Sequence, residues 1–131
     1  MPESKPSFLY KIIPVSAAPP DPLPEVLPVS DLDQSSGFIH LSTAVQIPKT
    51  LNLFFGSEDR VYILRVPYER IEEDVQWEDP TAAVKGKYGT EGIFPHLYNG
   101  LKFGKEVDRV EVLEKGEGWD HAAKNAEWLV Y

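Results

Sequence analysis

Arg60-Val61-Tyr62-Ile63-Leu64-Arg65-Val66-Pro67 is a run of branched, aromatic and apolar residues, apolar on both parities and closed by a proline. A strand with one wet face alternates; this one does not, so it must be covered on both sides, which places it at the centre of a sheet. Pro67 ends it, having no N–H to give to a neighbour. Upstream, Phe8-Leu9-Tyr10-Lys11-Ile12-Ile13 reads as a first strand stopped by Pro14. Downstream, residues 107–113 set Val110 and Val112 against Arg109 and Glu111, the alternation of a half-exposed strand. Val75-Gln76-Trp77-Glu78 makes a brief further strand, and Phe38 to Leu41 a short buried one.

Between these strands the chain carries strong punctuation. Six prolines from Pro14 to Pro28 forbid a normal helix or central strand, so residues 14–30 are expected as an extended surface loop, with a lid as one use for it. Asp31-Leu32-Asp33-Gln34-Ser35-Ser36-Gly37 reads as a turn cluster. Ser42 or Thr43 caps a helical segment that ends by Gly56. Its apolar residues Val45, Ile47, Leu51, Leu53, Phe54 and Phe55 are too many for a surface helix, so most should pack on the sheet. Lys85 to Gly92 is a flexible, partly basic loop, and Asp120 to Trp128 a short amphipathic helix or an apolar tail. Strands outnumber helices. The fold class is α+β, with a mixed or split antiparallel β core and a few short helices.

The 131 residues fit one domain, 1–131, with a flexible N-terminus at 1–7. There is no cysteine, which excludes disulfides, thiolate nucleophiles and thiolate metal sites. A formal net charge of -8 argues against general nucleic-acid binding, which needs a basic face to meet phosphates. No stretch has the length and apolarity of a secretion signal or membrane span, so the expected location is cytoplasmic.

Chemistry points to two of the three histidines. His40 and His96 each interrupt a short apolar run, Gly37-Phe38-Ile39-His40-Leu41-Ser42-Thr43 and Ile93-Phe94-Pro95-His96-Leu97-Tyr98, and each is followed two residues later by a hydroxyl, Ser42 or Tyr98. A lone histidine in such a run is commonly a hydrogen-bonded core residue. Two of them with hydroxyls suit a ligand pocket, because imidazole donates, accepts or carries charge near neutral pH. Ser42 and Thr43 serve equally as helix caps, and Gln46, one turn on, points either to the same cleft or to solvent. Glu78 is either one more charge in an acidic stretch or a carboxylate that loses water beside Trp77, which suits it to general-base work. Phe94 before Pro95 favours a cis peptide, which would aim His96. His121 lies in a polar tail, as a bystander. No HxH, HxxxH or HExxH pairing supports a metal, and no Walker loop, G-x-G-x-x-G or serine-hydrolase elbow occurs.

The segments Gly37 to Thr43 with Gln46, Trp77-Glu78, and Phe94 to Tyr98 occur in an order that resembles the DUF952 family, over roughly Tyr10 to Val112. The resemblance implies a fold similar to that of the ADP-ribosyltransferases and RNA 2′-phosphotransferases, in which a split β core forms a cleft for NAD or an ADP-ribose-like ligand. If the protein is an enzyme, His40 or His96 would move a proton and Glu78 would polarise the reacting hydroxyl. Ligand holding falls to Lys11, Ser42, Thr43, Gln46 and Tyr98. Two features depart from the family pattern: Lys11 stands where many relatives carry histidine, and the Pro-rich segment replaces a short helix. Lysine offers a point charge to a phosphate but cannot replace imidazole as acid or base. Three readings follow: a nucleotide- or NAD-related enzyme of ribosyl transfer or hydrolysis, an acid–base isomerase, cyclase or lyase on a small metabolite, and a non-catalytic binding module.

Overall fold

The structure, a computed structural model, describes residues 5–131, so most of the N-terminal segment expected to be flexible lies outside the described residues. Two three-stranded antiparallel sheets make the frame. The first is ordered β1 (Phe8–Pro14), β3 (Arg60–Pro67), β6 (Arg109–Glu114), and the second β2 (Ile39–His40), β5 (Phe94–Leu97), β4 (Val75–Glu78). Two short helices, α1 (Asp31–Ser36) and α2 (Ile47–Phe54), fill connections between strands, and a third, α3 (Trp119–Lys124), follows β6. This is the α+β architecture with a split antiparallel core that the sequence implies.

β3 is central in its sheet and covered on both faces, as its doubly apolar pattern demands. Leu64 and Val66 point into a core shared with the second sheet, against Leu9, Ile39, Leu41 and Leu97. Val61 and Ile63 point the other way, to Ile47 and Leu51 of α2 and Trp119 of α3. Where β1 meets the second sheet, Tyr10 and Ser42 exchange both backbone hydrogen bonds, at 2.8 and 2.9 Å. The Tyr10 hydroxyl then donates to the Val130 carbonyl at 2.6 Å and accepts the Val130 N–H at 2.9 Å, which docks the C-terminal tail. Beside it Ser7 donates to the Tyr131 carbonyl at 2.8 Å.

Four expectations need correction. Asp31 to Ser36 is a helical turn and not a plain turn cluster: Ser30 accepts the Asp33 N–H at its N-terminus, and Gly37, at φ 84°, ends it in the left-handed region open to glycine. In the α2 region only Ile47 and Leu51 are buried, whereas Val45, Leu53 and Phe54 are exposed, because α2 is short and sits on the first sheet by one stripe. On β6 the apolar side is not the covered one: Leu113 is buried, while Val110 and Val112 face outward on an edge strand beyond the reach of the second sheet. The Lys85 to Gly92 loop is tied down. Gly86 donates to the Trp77 carbonyl at 3.0 Å, and Tyr88 packs edge-on to Trp77 at 5.3 Å.

The Pro-rich segment runs extended after a 3-10 turn at Val15–Ala17 and is fixed by Leu27 N–H to Phe103 C=O, at 2.7 Å, and Lys105 N–H to Glu25 C=O, at 2.9 Å. Gly104 permits this approach, since a Cβ there would meet the Glu25 carbonyl oxygen at 2.6 Å and the Pro24 oxygen at 2.7 Å. Both are backbone atoms and cannot swing aside. Gly104→Ala is expected to lower stability by about 1–3 kcal/mol through this overpacking, measured by urea denaturation, with unchanged stability as the contrary result.

Candidate functional site

Side chains alternate along a strand, so the register of the second sheet sorts its residues into two faces. Ile39 pairs with Leu97 and Leu97 with Val75, and these three enter the core between the sheets. His40 pairs directly with His96, and His96 with Gln76; Glu78, two residues on, shares that side. One period-2 rule therefore lays both histidines and Glu78 on one face. Their rings lie 5.4 Å apart between centroids, edge to face.

Each imidazole is held through the same nitrogen. His40 Nδ1 lies 2.6 Å from Asp33 Oδ1, and His96 Nδ1 lies 2.8 Å from Glu78 Oε1. A carboxylate accepts only, so each Nδ1 carries the proton and the lone pair is left on Nε2. The Asp33 and Glu78 side chains are nearly fully buried. No buried side-chain nitrogen or oxygen lacks a partner among the described residues, and His96 bonds through Nδ1 alone, so the trace of surface it keeps includes Nε2. His40 is more open, with 28% of its side chain exposed against 1% for His96. Phe38 spans the pair, stacked on His96 at 4.1 Å and tilted against His40 at 4.7 Å and Tyr98 at 5.1 Å.

The environments of the two pairs differ. Burial works to raise the Asp33 pKa, but its bond to His40 and the charge of Lys11 outweigh it and hold the carboxyl below its ordinary range. Burial pushes His96 below its ordinary value, with Glu78 pulling it back up and the neighbouring His40 adding to the fall. Tyr98, desolvated and donating to Glu78 Oε1 at 2.7 Å, is raised to about 12 and stays a hydroxyl. The two histidines thus sit in different surroundings, His96 almost wholly buried and His40 partly open.

The sequence-derived candidates divide cleanly. His40, His96, Glu78 and Tyr98 come together. Lys11 sits beside them but points its charge inward, at 2.6 Å from Asp33 Oδ2 and 3.3 Å from the His40 carbonyl. Ser42 joins the sheets through its backbone, and Thr43 and Gln46 close a capping box: Gln46 Oε1 accepts the Thr43 N–H at 3.0 Å, while its Nε2 donates to the Ile93 carbonyl at 2.6 Å. Gln46 therefore points neither to an open cleft nor to solvent. Glu78 is not a solvated charge, and Trp77 is not its neighbour in space. Adjacent strand residues project to opposite faces, and the indole donates to the Tyr68 hydroxyl at 3.0 Å on the core side. The Phe94–Pro95 bond is not the cis peptide, which falls at Asp21–Pro22; Pro95 lies in extended β5, its carbonyl accepting the Leu41 N–H at 3.1 Å. His121 is exposed on α3.

Asp33 and Phe38 are the residues of this candidate site that sequence reasoning missed. The signal for Asp33 was the spacing Ser30-x-x-Asp33 with Gly37 four residues on, a helix start and stop that would have aimed its carboxylate back along the chain. Two surface cavities, of about 520 and 590 Å³, lie elsewhere, by Arg65 and Trp128 and by Lys5 and Arg70. No cluster of three or more His, Asp or Glu among the described residues has metal-holding geometry, and no helix among them is long and apolar enough to cross a membrane.

A small α+β protein whose sheet face presents two carboxylate-anchored histidines is thus the class in hand. The sequence model of DUF952, described as a protein of unknown function, matches residues 23–111, and the chain belongs to this family. Among solved structures it is similar to the crystal structure of Protein CC0527 from Caulobacter crescentus, with 30% identity, 88% of this chain and 98% of that chain covered, and a TM-score of 0.63. The solution NMR structure of CC0527 gives 29% identity, 82% and 85% coverage, and a TM-score of 0.61. No curated protein matches the chain.

Two predictions concern this face. Asp33→Asn removes the charge that pairs Lys11 and orients His40, and is expected to cost about 3 kcal/mol, as for a broken buried ion pair, measured by urea denaturation. The pH dependence of stability should have two steps. His96 is held below its ordinary 6.5, so the unfolded chain takes up that proton first; its contribution is whole above about 6.5 and declines as the pH falls from there to the lower folded value. Asp33, held below its ordinary 3.8, contributes fully above that value and loses its contribution as the pH falls through its folded pKa. Denaturation midpoints between pH 3 and 8, on the order of the ordinary carboxylate-to-histidine range, should lose the upper step in His96→Gln.

Proposed function

We propose that this chain is a cofactor-free acid–base enzyme acting on a small metabolite in the cytosol, an isomerase, cyclase or lyase, with His40 and His96 as the proton-transferring pair. The observation that carries it is the matched anchoring of two facing imidazoles, each fixed at Nδ1 by a buried carboxylate and making no hydrogen bond from Nε2 to another described residue. Such anchoring sets the tautomer and steadies the imidazolium when it forms. One ring takes a proton from the substrate while the other returns one. The depressed His96 suits the base, and the more exposed His40 the acid. Tyr98 and Phe38 line the approach, and Glu78, tied to both His96 and Tyr98, transmits the state of one to the other.

A second reading keeps the family resemblance to the ADP-ribosyltransferase-like fold, with an NAD or ADP-ribose ligand. What favours it is the partly exposed Tyr98 ring beside Phe38, a flat surface for a base or nicotinamide. What weighs against it is that Lys11, Thr43 and Gln46 are already committed within the protein.

A thermal-shift and turnover screen against NAD, ADP-ribose, phosphorylated sugars and a metabolite panel separates the two. The acid–base reading expects turnover with a bell-shaped pH profile, and a loss of about 10²–10⁴-fold in His40→Gln and in His96→Gln without unfolding. Turnover that survives in both variants would sink it. Stabilisation by ADP-ribose compounds alone would transfer the site to the second reading.

A further inference from the structure

We infer that Lys85 is the anion-recognition residue of the histidine face, and that the substrate carries a phosphate or carboxylate group beside the atoms on which His40 and His96 act. This deepens the function proposed above and rests on its placement of the site. The chain beyond β4 turns back, so that Lys85 pairs with Glu78 in an antiparallel bridge. Partners across an antiparallel ladder share a face, so Lys85 stands on the side that carries Glu78, Gln76 and His96. Its side chain agrees with its backbone. Nζ reaches back to donate to Gln76 Oε1 at 3.3 Å, and Gln76 lies directly opposite His96. Cross-strand neighbours stand about 5 Å apart at Cβ, so Gln76, which holds the ammonium, is the immediate neighbour of His96 on this face.

The two lysines of this region are used in opposite ways. Lys11 is neutralised by Asp33 at 2.6 Å and has little exposed surface, so it has no charge to spare for a ligand. Lys85 is exposed and, among the described residues, its side chain meets the neutral amide of Gln76 and no carboxylate. An ammonium bound to an amide oxygen is positioned but not neutralised, and keeps its other N–H donors for an anionic guest. The loop that bears it is fixed: Asp79 donates to the Val84 carbonyl at 2.9 Å, and Gly86 tucks against Ile93, where a Cβ would meet the side chain at 2.8 Å. A protonated His40 would add to the attraction, and Glu78, bound to His96 and Tyr98, is partly screened from the guest.

The test uses inorganic phosphate and, separately, acetate as probes, read by proton NMR of the three histidine rings in the full chain. Phosphate, acetate or both should shift the His40 and His96 resonances and raise their titration midpoints, leaving His121 on α3 unmoved. Lys85→Gln should weaken that binding about tenfold, the loss expected for one charge-assisted bond, whereas Lys124→Gln should leave it unchanged. Which probe binds tells phosphate from carboxylate. Equal binding in wild type and Lys85→Gln, or no response of His40 and His96 to either probe, overturns the inference. The readout needs no turnover, so it fails independently of the catalytic reading, whose failure is turnover that ignores both histidines.

Discussion

The backbone exchange between Tyr10 and Ser42 is the joint on which this molecule turns. Two small sheets of three strands each have too little area to stand alone, and they gain a common core only if one is held over the other. The joint does this with two N–H to C=O bonds between two buried residues. On one side of Tyr10, Leu9 enters the core between the sheets; on the other, Lys11 meets Asp33 and the His40 carbonyl. Tyr10 itself passes through to the helical side and captures the tail with its hydroxyl. Once β1 is joined at Ser42, the entry of β2 is set. His40 then stands against His96 by register alone.

How this was legible follows from the range of each signal. Residues 60–67 declare a central strand because burial on both faces leaves no room for polar alternation, and the structure uses every one of them in β3. The pairing of His40 with His96 was suggested only by their like settings; the register that makes it real depends on three strands from distant parts of the chain. Local pattern misled where burial depends on what happens to lie above. Val110 and Val112 alternate correctly yet point past the edge of the second sheet, and Leu53 and Phe54 belong to a helix that covers the first sheet with one stripe only. Asp33 was hidden because a six-residue helix has no periodicity to read, although its capping residues were in plain view.

Lys11 shows how a buried charge on one strand is answered elsewhere in the fold. A histidine at this place would offer a neutral ring; the lysine offers a full charge that burial would make costly without a partner. Asp33 is that partner, and the same carboxylate also receives the His40 backbone N–H, at 3.2 Å, and its ring nitrogen. One buried anion therefore organises a cation, a strand and an imidazole. The Lys11–Asp33 pair reaches the site through His40.

The tail that Tyr10 holds lies beside Ser7, so that residues 7 and 131 are bonded to each other across nearly the whole length of the chain. Fraying is consequently a shared event. β1 cannot peel back at its start without releasing the tail, and the tail cannot lift without uncovering the Tyr10 ring. Protease access at either end is governed by one opening equilibrium in place of two.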